Sequence, residues 1–303
     1  MSTLFTGISE LRTVSERGTL NDAAIIAQSG TIAWVGPASE APAADEQVDL
    51  GGRAVLPGWV DSHTHMVFDG DRSAEFEARI SGGSYEAGGI AVTMDATRQA
   101  GTDRLDKLVA DRVAAGRRGG TTTFETKTGY GLNTESEVEA AKVASRHVDD
   151  VTFLGAHLVP PGADAEEYLD EVVGPMLEGV APYVQWIDVF CERGAFNEEQ
   201  SRRVLEAGKK LGLGLRVHGN QLGEGPGVAL AVELGAASVD HVNHLSDEDV
   251  ELLANSDTVA TMLPACDLST REPLAPGRTL LDAGATLAIA SNLNPGTSYT
   301  SSM

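Results

Sequence analysis

The sequence contains little that would support a disulfide framework or a membrane span. Its two cysteines, Cys191 and Cys266, lie far apart without a Cys-x-x-Cys pattern, which indicates a reducing compartment and buried structural thiols. Nowhere do about 18 apolar residues run together, and the N-terminus lacks the basic region and apolar stretch of a signal peptide. These absences predict a cytoplasmic protein that does not contact membranes.

Basic residues are scarce as well, because 22 Lys and Arg stand against 45 Asp and Glu, for a formal net charge of −23. Such a chain repels nucleic acids and anionic membrane surfaces, so neither is expected as a partner. A small molecule is the expected partner, and the composition leaves a homodimer open. At 303 residues, the chain fits either one α/β barrel or two ordinary domains.

A short apolar run before residue 61 delivers two histidines, His63 and His65, at positions i and i+2. In an extended strand, side chains two residues apart project to the same side, so both imidazoles can meet one ion. Neutral imidazole is a good ligand for zinc or iron. Surface or capping histidines explain a lone His-x-His pair about as often, so the rest of the chain decides between the two interpretations.

Periodicity divides the chain into a small β element, residues 1–53, and a larger domain, residues 54–303. In the first part, short runs such as 23–27 and 31–35, broken by glycines, predict small antiparallel strands. In the second part, apolar runs alternate with amphipathic segments. The runs are 55–61, 121–125, 151–156, 184–190, 213–217, 237–240, 259–263 and 286–290, and the predicted helices are 103–116, 135–146, 165–178, 197–211, 227–234, 247–255 and 276–283. Thr134 and Ser246 are the expected helix caps of the second and sixth helices.

Eight strands alternating with helices predict a (β/α)8 barrel of TIM type, in which catalytic groups gather at the C-terminal ends of the strands. A core has no reason to sort histidines by strand end, so a metal-dependent barrel enzyme is the favoured interpretation. Two of the seven histidines are less clearly part of a site. His147 lies at the end of a predicted helix, and His244 lies past a strand end, where it could instead be a loop residue or a helix cap. The histidines at predicted strand ends are His63, His65, His157, His218, His241 and His244.

The motif Pro57-Gly58-Trp59-Val60-Asp61-Ser62-His63-Thr64-His65 resembles the metal-binding motif at the start of the amidohydrolase barrel. Further segments, in order over nearly the whole chain, resemble the imidazolonepropionase family of that superfamily. These segments are residues 68–72, Gly83-Ser84-Tyr85, and residues 125–132, 155–157, 188–192 and 294–297. The match is therefore far more specific than a lone His-x-His pair.

The resemblance implies a histidine-degrading enzyme that opens 4-imidazolone-5-propanoate to N-formimino-L-glutamate with one zinc or iron ion. By the family pattern, His63, His65 and His218 would bind the ion, and Asn292 occupies the place of the fourth ligand. His241 would sit beside the water that the ion binds, and the catalytic set would be His241, Gln221 and Asn292. Substrate contacts would come from Arg72, Tyr130, His157, Gln221, Asn294, Gly296 and Thr297.

The chemistry of this reaction agrees with the implied residues. A cyclic amide resists water, so the ion must lower the pKa of a bound water and polarise the carbonyl. His157 or His241 could then stabilise the oxyanion. Arg72 offers a bidentate fork to the carboxylate tail of the substrate, with Tyr130 as a further donor. The alternatives are a surface salt bridge for Arg72 and simple packing for Tyr130, although the flanking glycines favour a loop shaped to approach a ligand.

Lys127 is interpreted as a charge partner, for Glu125 or Glu192. Some related enzymes bridge two metals with a carboxylated lysine. In those relatives the lysine ends the fourth strand, where this chain has Cys191 and Glu192. A single metal ion is therefore expected.

Two positions depart from the superfamily pattern. Gln221 stands where many amidohydrolases have a glutamate, and an amide can hydrogen-bond but cannot take a proton. Asn292 stands where the eighth strand usually supplies an aspartate that is both metal ligand and proton shuttle. An amide oxygen can still bind the ion, but it brings no negative charge and no useful basicity. The sequence therefore predicts weakened hydrolysis.

The resemblance also implies a chain shortened at its C-terminus, with a barrel that lacks its final helix and with half of a composite β-sandwich. Two alternative functions stay open. A deaminase or another cyclic-amide hydrolase would keep the metal-binding histidines without the pair Arg72 and Tyr130. A non-catalytic ligand-binding homologue would explain why Gln221 and Asn292 replace carboxylates.

Overall fold

A computed structural model describes residues 1–81 and 89–303 of the chain. The motif Gly83-Ser84-Tyr85 therefore lies outside the described residues. Contacts between residues divide the chain into two compact units, Met1–Gly58 and Trp59–Met303. The assignment of residues 1–53 and 54–303 to two folding domains stays a prediction.

The first unit contains a four-stranded sheet with the order β3-β2-β1-β4. Its strands are β1 (Ser2–Arg12), β2 (Thr19–Gln28), β3 (Thr31–Pro37) and β4 (Glu46–Val55). The antiparallel pairs β1–β2 and β2–β3 confirm the prediction, but β4 pairs with β1 in parallel. The connection 38–45 is too long for a tight hairpin, and it leads the chain past β2 to the far side of β1. Ile8, Leu11 and Ala23 form the core of this sheet.

The second unit is an eight-stranded sheet in which each strand pairs with the next one in the sequence, in the order β5 to β12. All pairs are parallel, which confirms the barrel predicted from the alternating pattern. Beyond the first and last strands, the amide of His65 donates to the carbonyl of Leu293 at 2.8 Å, and the amide of Asn292 donates to that of His63 at 3.1 Å. These bonds bring the two ends of the sheet together. The strands are β5 (Trp59–Asp61), β6 (Thr121–Lys127), β7 (Asp150–Ala156), β8 (Trp186–Cys191), β9 (Gly214–Gly219), β10 (Ser238–His241), β11 (Val259–Met262) and β12 (Leu287–Ile289).

The first barrel strand is shorter than the predicted run 55–61, because Val55 still belongs to β4 and β5 begins at Trp59. Pro57 lies between them, and a proline has no N–H to donate to a strand ladder. The short strand nevertheless ends where the sequence predicted, directly before the His-x-His pair.

Helices alternate with the strands of the second unit and cover the sheet. In α7, for example, Val204, Leu205 and Gly208 share the buried face. A side chain at Gly208 would clash with Ile187 of β8, so the glycine permits close packing of helix on sheet. The helices within the described residues are α1 (Ser73–Ile80), α2 (Ile90–Ala100), α3 (Thr102–Arg118), α4 (Thr134–Ala144), α5 (Ala165–Glu171), α6 (Leu177–Val180), α7 (Glu198–Lys210), α8 (Gly227–Leu234), α9 (Asp247–Ala254), α10 (Pro264–Thr270) and α11 (Gly277–Ala283).

Some helical predictions were incomplete. The predicted helix 165–178 is interrupted between α5 and α6 by a π-helical segment, Val172–Met176, that contains Pro175. The cap of α4 is Asn133, whose side chain accepts from the amide of Ser136, so the assignment of Thr134 as cap was wrong. The cap at Ser246 is confirmed by a reciprocal pair of hydrogen bonds with Asp249. None of the helices in the described ranges is long and apolar enough to cross a membrane.

Candidate metal centre and substrate site

Three buried imidazoles converge at the C-terminal end of the barrel. His63 and His65 directly follow β5, and His218 lies in β9 on the opposite side. The Nε2 atom of His65 lies 3.2 Å from that of His63 and 3.5 Å from that of His218. A fourth imidazole, His241 at the end of β10, has its ring centre 5.4 Å from that of His218. The barrel thus brings together four of the histidines that the sequence placed at strand ends.

Carboxylates fix the orientation of two of these rings. The Nδ1 atom of His63 lies 2.7 Å from Asp240, and that of His218 lies 3.0 Å from Asp188. The contact of His63 is a hydrogen bond to a carboxylate, which only accepts, so its Nδ1 carries the proton and its Nε2 presents a lone pair. The carboxylate of Asp188 favours the same tautomer of His218. Burial lowers the pKa of His63 and of His65 well below the usual value, with a further contribution from neighbouring positive groups. Neutral rings with free Nε2 lone pairs are what metal binding requires.

The donor atoms at this point lie close together, and two nearby polar atoms have no partner. The Nε2 atoms of His63 and His65 meet at 3.2 Å, and the Nδ1 atom of His65 is buried without a hydrogen-bond partner. When both rings present Nε2 lone pairs the two nitrogens repel, whereas a shared cation would be bound by both. The Oδ1 atom of Asn292 is also buried without a hydrogen-bond partner. Ligand nitrogens of His63, His218 and His241 all lie within 4.8 Å of one another. The donor set therefore fits a metal ion.

Two residues at this centre have a backbone conformation that side chains rarely adopt. The φ angles of His241 and Asn292 are 83° and 53°, both in the left-handed region. Such strain persists only where the surrounding structure holds it, and it is often found at functional sites. Asparagine and aspartate tolerate the left-handed region better than most residues.

A buried network of charges surrounds Lys127 and contacts the carboxylates that orient the histidines. The Nζ atom of Lys127 lies 2.9 Å from Asp188, 3.1 Å from Glu125 and 3.7 Å from Asp240. Glu125 is thus confirmed as a charge partner. Glu192 is not, because its carboxylate accepts from the backbone amides of residues 221 and 222 instead. Asp188 and Asp240 were not predicted as site residues, although a carboxylate inside an apolar strand is itself a sign of a buried partner.

The charges in this network depend on one another. Burial alone would raise the pKa of Asp188, but His218 and Lys127 hold that pKa well below its usual value. Burial alone would lower the pKa of Lys127, but the carboxylates of Asp188, Glu125 and Asp240 raise it above its usual value. The ammonium group therefore stays charged and compensates the carboxylates that orient His63 and His218.

A cavity of about 60 Å³ opens beside the imidazoles. Every substrate contact predicted from the family pattern lines it. Five of the six residues predicted to bind the metal or to form the catalytic set also line it, and the sixth, His63, is fully buried. The apolar part of the wall comes from Ile90, Leu158 and Phe190. The predicted residues in the lining are His65, Arg72, Tyr130, His157, His218, Gln221, His241, Asn292, Asn294, Gly296 and Thr297.

Arg72 is buried, so the alternative of a surface salt bridge does not apply. Its Nε and Nη2 atoms each donate to Glu75 at 2.8 Å, and Glu75 also pairs with Arg79 at 3.0 Å. A side chain at residue 296 would come within 2.5 Å of Nη1 of Arg72, so Gly296 leaves room for the guanidinium. The Nε and Nη2 atoms of the guanidinium are therefore held by Glu75, and its Nη1 side reaches the cavity wall.

His157 and Tyr130 form a second wall of the cavity, with ring centres 5.3 Å apart. The Nδ1 atom of His157 lies 2.9 Å from the carbonyl oxygen of Gly129, so Nδ1 carries the proton and Nε2 can only accept. Burial lowers the pKa of His157 to about 4. Gly129 has a φ of +109°, and a side chain there would meet the carbonyl of Leu154 at 2.6 Å. This glycine is thus required by the protein's own packing beside Tyr130.

The loop that carries Tyr130 is held by Glu137 of α4. Both carboxylate oxygens accept backbone hydrogen bonds, from Gly129 at 2.9 Å and from Gly131 and Leu132 at 2.7 and 2.9 Å. Glu137 is fully buried. Sequence reasoning missed it, because it lies in an ordinary helical segment.

Replacing Glu137 with glutamine is expected to lower the free energy of unfolding by about 1–3 kcal/mol, because an amide N–H₂ would face a backbone N–H donor. Loosening of the Tyr130 loop should also raise KM for the substrate. Urea unfolding and steady-state kinetics measure the two effects. The matched control is Glu135→Gln in the exposed first turn of the same helix. Equal stability of the two variants would contradict the role given to Glu137.

Asn294 mainly organises its own turn. Its Oδ1 atom accepts from the amides of Gly296 at 2.9 Å and Thr297 at 2.8 Å, and its Nδ2 atom donates to the Thr297 hydroxyl at 2.7 Å. The Nε2 atom of Gln221 lies 3.8 Å from the sulfur of Cys266 in α10. Asn294 therefore shapes the wall, and Gln221 connects the cavity to α10.

The remaining histidines lie outside the cavity lining. His244 is a loop residue 3.5 Å from Glu272, which agrees with the alternative considered for it. His147 lies beyond the end of α4, 3.0 Å from Asp106 of α3.

Comparison with known proteins gives the chain a clear set of relatives. It is 65% identical over 314 residues to the imidazolonepropionase of Arthrobacter sp. strain FB24, covering all of this chain and 78% of the relative. It is also 65% identical over 303 residues to the imidazolonepropionase of Saccharopolyspora erythraea, with coverage of 100% and 78%. At 52% identity over 305 residues, the imidazolonepropionase of Streptomyces griseus matches with the same coverage. A scan against protein-family models found no match.

Solved structures share the fold at low sequence identity. A triazine hydrolase from Arthrobacter aurescens superposes with a TM-score of 0.68 at 18% identity, covering 98% of this chain and 72% of that one. Guanine deaminase from C. acetobutylicum gives 0.67 at 14% identity, with coverage of 98% and 76%. A mutant atrazine chlorohydrolase, solved in complex with zinc and atraton, gives 0.64 at 16% identity, with coverage of 98% and 73%. These likenesses extend over both compact units.

Proposed function

The chain belongs to the imidazolonepropionase family, and from this membership we propose that its cavity binds 4-imidazolone-5-propanoate beside a single zinc or iron ion. It is a hydrolase of the amidohydrolase type that acts on a cyclic amide in histidine degradation. The observation that carries the metal assignment is the convergence of three Nε2 atoms, two of them on rings oriented by Asp188 and Asp240. His63, His65, His218 and the Oδ1 atom of Asn292 would hold the ion.

When bound, the ion polarises the substrate carbonyl and makes water a stronger acid. The carboxylates behind His63 and His218 keep both Nε2 lone pairs directed into the site. Zinc in the atrazine chlorohydrolase complex supports this choice of metal, and iron would accept the same neutral imidazoles.

The substrate would be oriented by groups on opposite walls. The Nη1 side of Arg72 faces the cavity beside Gly296 and suits the carboxylate of the propanoate tail, with Tyr130 as an added donor. His157 can accept a hydrogen bond from a ring N–H of the substrate through Nε2. A neutral His157 with its proton on Nδ1 cannot donate to an oxyanion, so that role falls to His241.

Proton transfer is the weak point of this site. Burial lowers the pKa of His241 to about 3 and that of His157 to about 4, so both are poor proton acceptors at neutral pH. Gln221 and Asn292 are amides without basicity. No carboxylate lines the described cavity. Slow hydrolysis limited by proton transfer is the expected outcome.

Replacing Arg72 with lysine is expected to raise KM for 4-imidazolone-5-propanoate about 10- to 100-fold, the value of a charge-assisted hydrogen bond. An imidazolone without the propanoate arm should bind equally weakly to the natural chain and to Arg72→Lys. Steady-state kinetics with both compounds measure the effect. Arg203→Lys on the surface serves as control, because Arg203 pairs with Asp170 outside the site. An unchanged KM in Arg72→Lys would contradict carboxylate recognition by Arg72.

Three broader expectations belong to the same proposal. The net charge of −23 supports the absence of nucleic-acid and membrane partners. A cytoplasmic location agrees with two free, buried cysteines. The homodimer stays a prediction that the oligomeric state in solution would test.

A further inference from the structure

A second group of metal-ligand atoms lies next to the cavity, on a helix that the sequence did not reveal. Cys266 and Asp267 belong to the first turn of α10, which follows β11, and His241 ends the neighbouring strand β10. One ligand atom from each lies within 4.8 Å of the other two. All three side chains are buried, with exposures of 1%, 2% and 3%.

Two of these residues have a side-chain atom without a hydrogen-bond partner among the described residues, namely Asp267 at Oδ2 and His241 at Nδ1. A buried polar atom without a partner is unstable unless something compensates it. The sulfur of Cys266 has polar contacts with Nε2 of Gln221 at 3.8 Å and with the side chains of Thr297 and Asn292. The cluster thus places a thiol beside one nitrogen and one oxygen that have no hydrogen-bond partner.

The donor chemistry selects the kind of ligand. A nitrogen, an oxygen and a sulfur are the ligand types of zinc, whereas magnesium and calcium take oxygen ligands and avoid thiols. An ion at the centre of an equilateral triangle with a side of 4.8 Å would lie about 2.8 Å from each corner, against about 2.0–2.3 Å for zinc bonds. To bind zinc, the three side chains would have to rotate toward one another by that difference.

We propose that His241, Cys266 and Asp267 form a second site, which binds a thiophilic divalent cation such as zinc or cadmium. On binding, the thiol proton of Cys266 passes to solvent and a sulfur–metal bond forms, while Asp267 and His241 contribute an oxygen and a nitrogen. The site differs from that of His63, His65 and His218 because it contains a thiol and lies on the α10 side of the cavity.

Occupation of this site would inhibit the enzyme. It removes His241 from the attacking water and draws Cys266 away from Gln221, which lines the cavity. Zinc in excess of the first equivalent should therefore slow turnover, and removal of the excess by a weak chelator should restore it.

Cobalt binding tests this proposal directly. The full chain, loaded with one equivalent of zinc, is titrated with Co²⁺ while bound metal and the near-ultraviolet thiolate-to-cobalt band are recorded. We expect a second equivalent and the band in the natural chain and in the control Cys191→Ser, whose cysteine is buried on β8. In Cys266→Ser we expect the band to vanish and the second affinity to fall about tenfold or more.

Binding of one equivalent only, or a second equivalent that Cys266→Ser leaves unchanged, would overturn the proposal. If Cys266→Ser does not fold, Asp267→Asn keeps the thiol band and should lower the second affinity by a similar factor, and an unchanged affinity there counts equally against the site. The measurement contains no substrate, so a chain without turnover on imidazolonepropanoate leaves its outcome untouched.

Discussion

Replacing Asn292 with aspartate is expected to raise kcat for 4-imidazolone-5-propanoate by about 100-fold or more, the usual contribution of a positioned general base. The new carboxylate would add the negative charge and the basicity that the site lacks, at an atom that is already buried without a hydrogen-bond partner. Aspartate tolerates the φ angle of 53° as asparagine does, so the backbone need not change. Metal retention during dialysis should increase in the same variant.

The matched control for this substitution is Asn255→Asp at the exposed end of α9, which adds the same charge far from the cavity. Its kcat should equal that of the natural chain. Fast and equal turnover by the natural chain and by Asn292→Asp would show that Asn292 does not limit the reaction.

Replacing Lys127 with methionine is expected to lower the free energy of unfolding by about 3–5 kcal/mol, the typical result of removing one partner from a buried ion pair. The change leaves Asp188, Glu125 and Asp240 without the ammonium that compensates them. Protonation of Asp188 or Asp240 would then release the rings of His218 and His63. Metal affinity should therefore fall together with stability, by about 10- to 100-fold.

Urea unfolding and equilibrium dialysis with zinc measure these two losses. Lys107→Met is the control, because Lys107 pairs with Asp111 on an exposed helix face and such pairs contribute little. A Lys127→Met variant with natural stability and natural zinc affinity would show that the buried network is not needed to orient the histidines.

Much of the barrel could be predicted from the sequence because its strands are short apolar runs that alternate with amphipathic helices. The same alternation placed His63, His157 and His218 at strand ends, and strand ends meet at one rim of a barrel. The helices that escaped prediction are α1, α2 and α10. Two of them span about two turns, too few for a clear period, and α2 begins with an apolar run that contains β-branched residues.

The charge network could not be predicted in full, because its members are far apart in the chain. Lys127 and Asp188 come from strands β6 and β8, and the sequence alone does not show which carboxylates an inward-facing ammonium will meet. Glu192 was chosen for its position at a strand end, but the structure uses Glu192 to hold the loop after β9. Glu137 and Cys266 were not predicted as site residues for a related reason. Glu137 holds the loop of Tyr130 and Cys266 lies in α10, and the sequence alone does not show where that loop and that helix lie.

Metal-dependent hydrolysis is tested by measuring turnover of 4-imidazolone-5-propanoate by the purified chain before chelation, after chelation, and after one equivalent of zinc or iron is restored. We expect slow formation of N-formimino-L-glutamate that disappears with the metal, returns when it is restored, and is absent from a variant with His63→Ala and His65→Ala. Turnover that continues at the same rate in the metal-free chain would contradict metal-dependent hydrolysis.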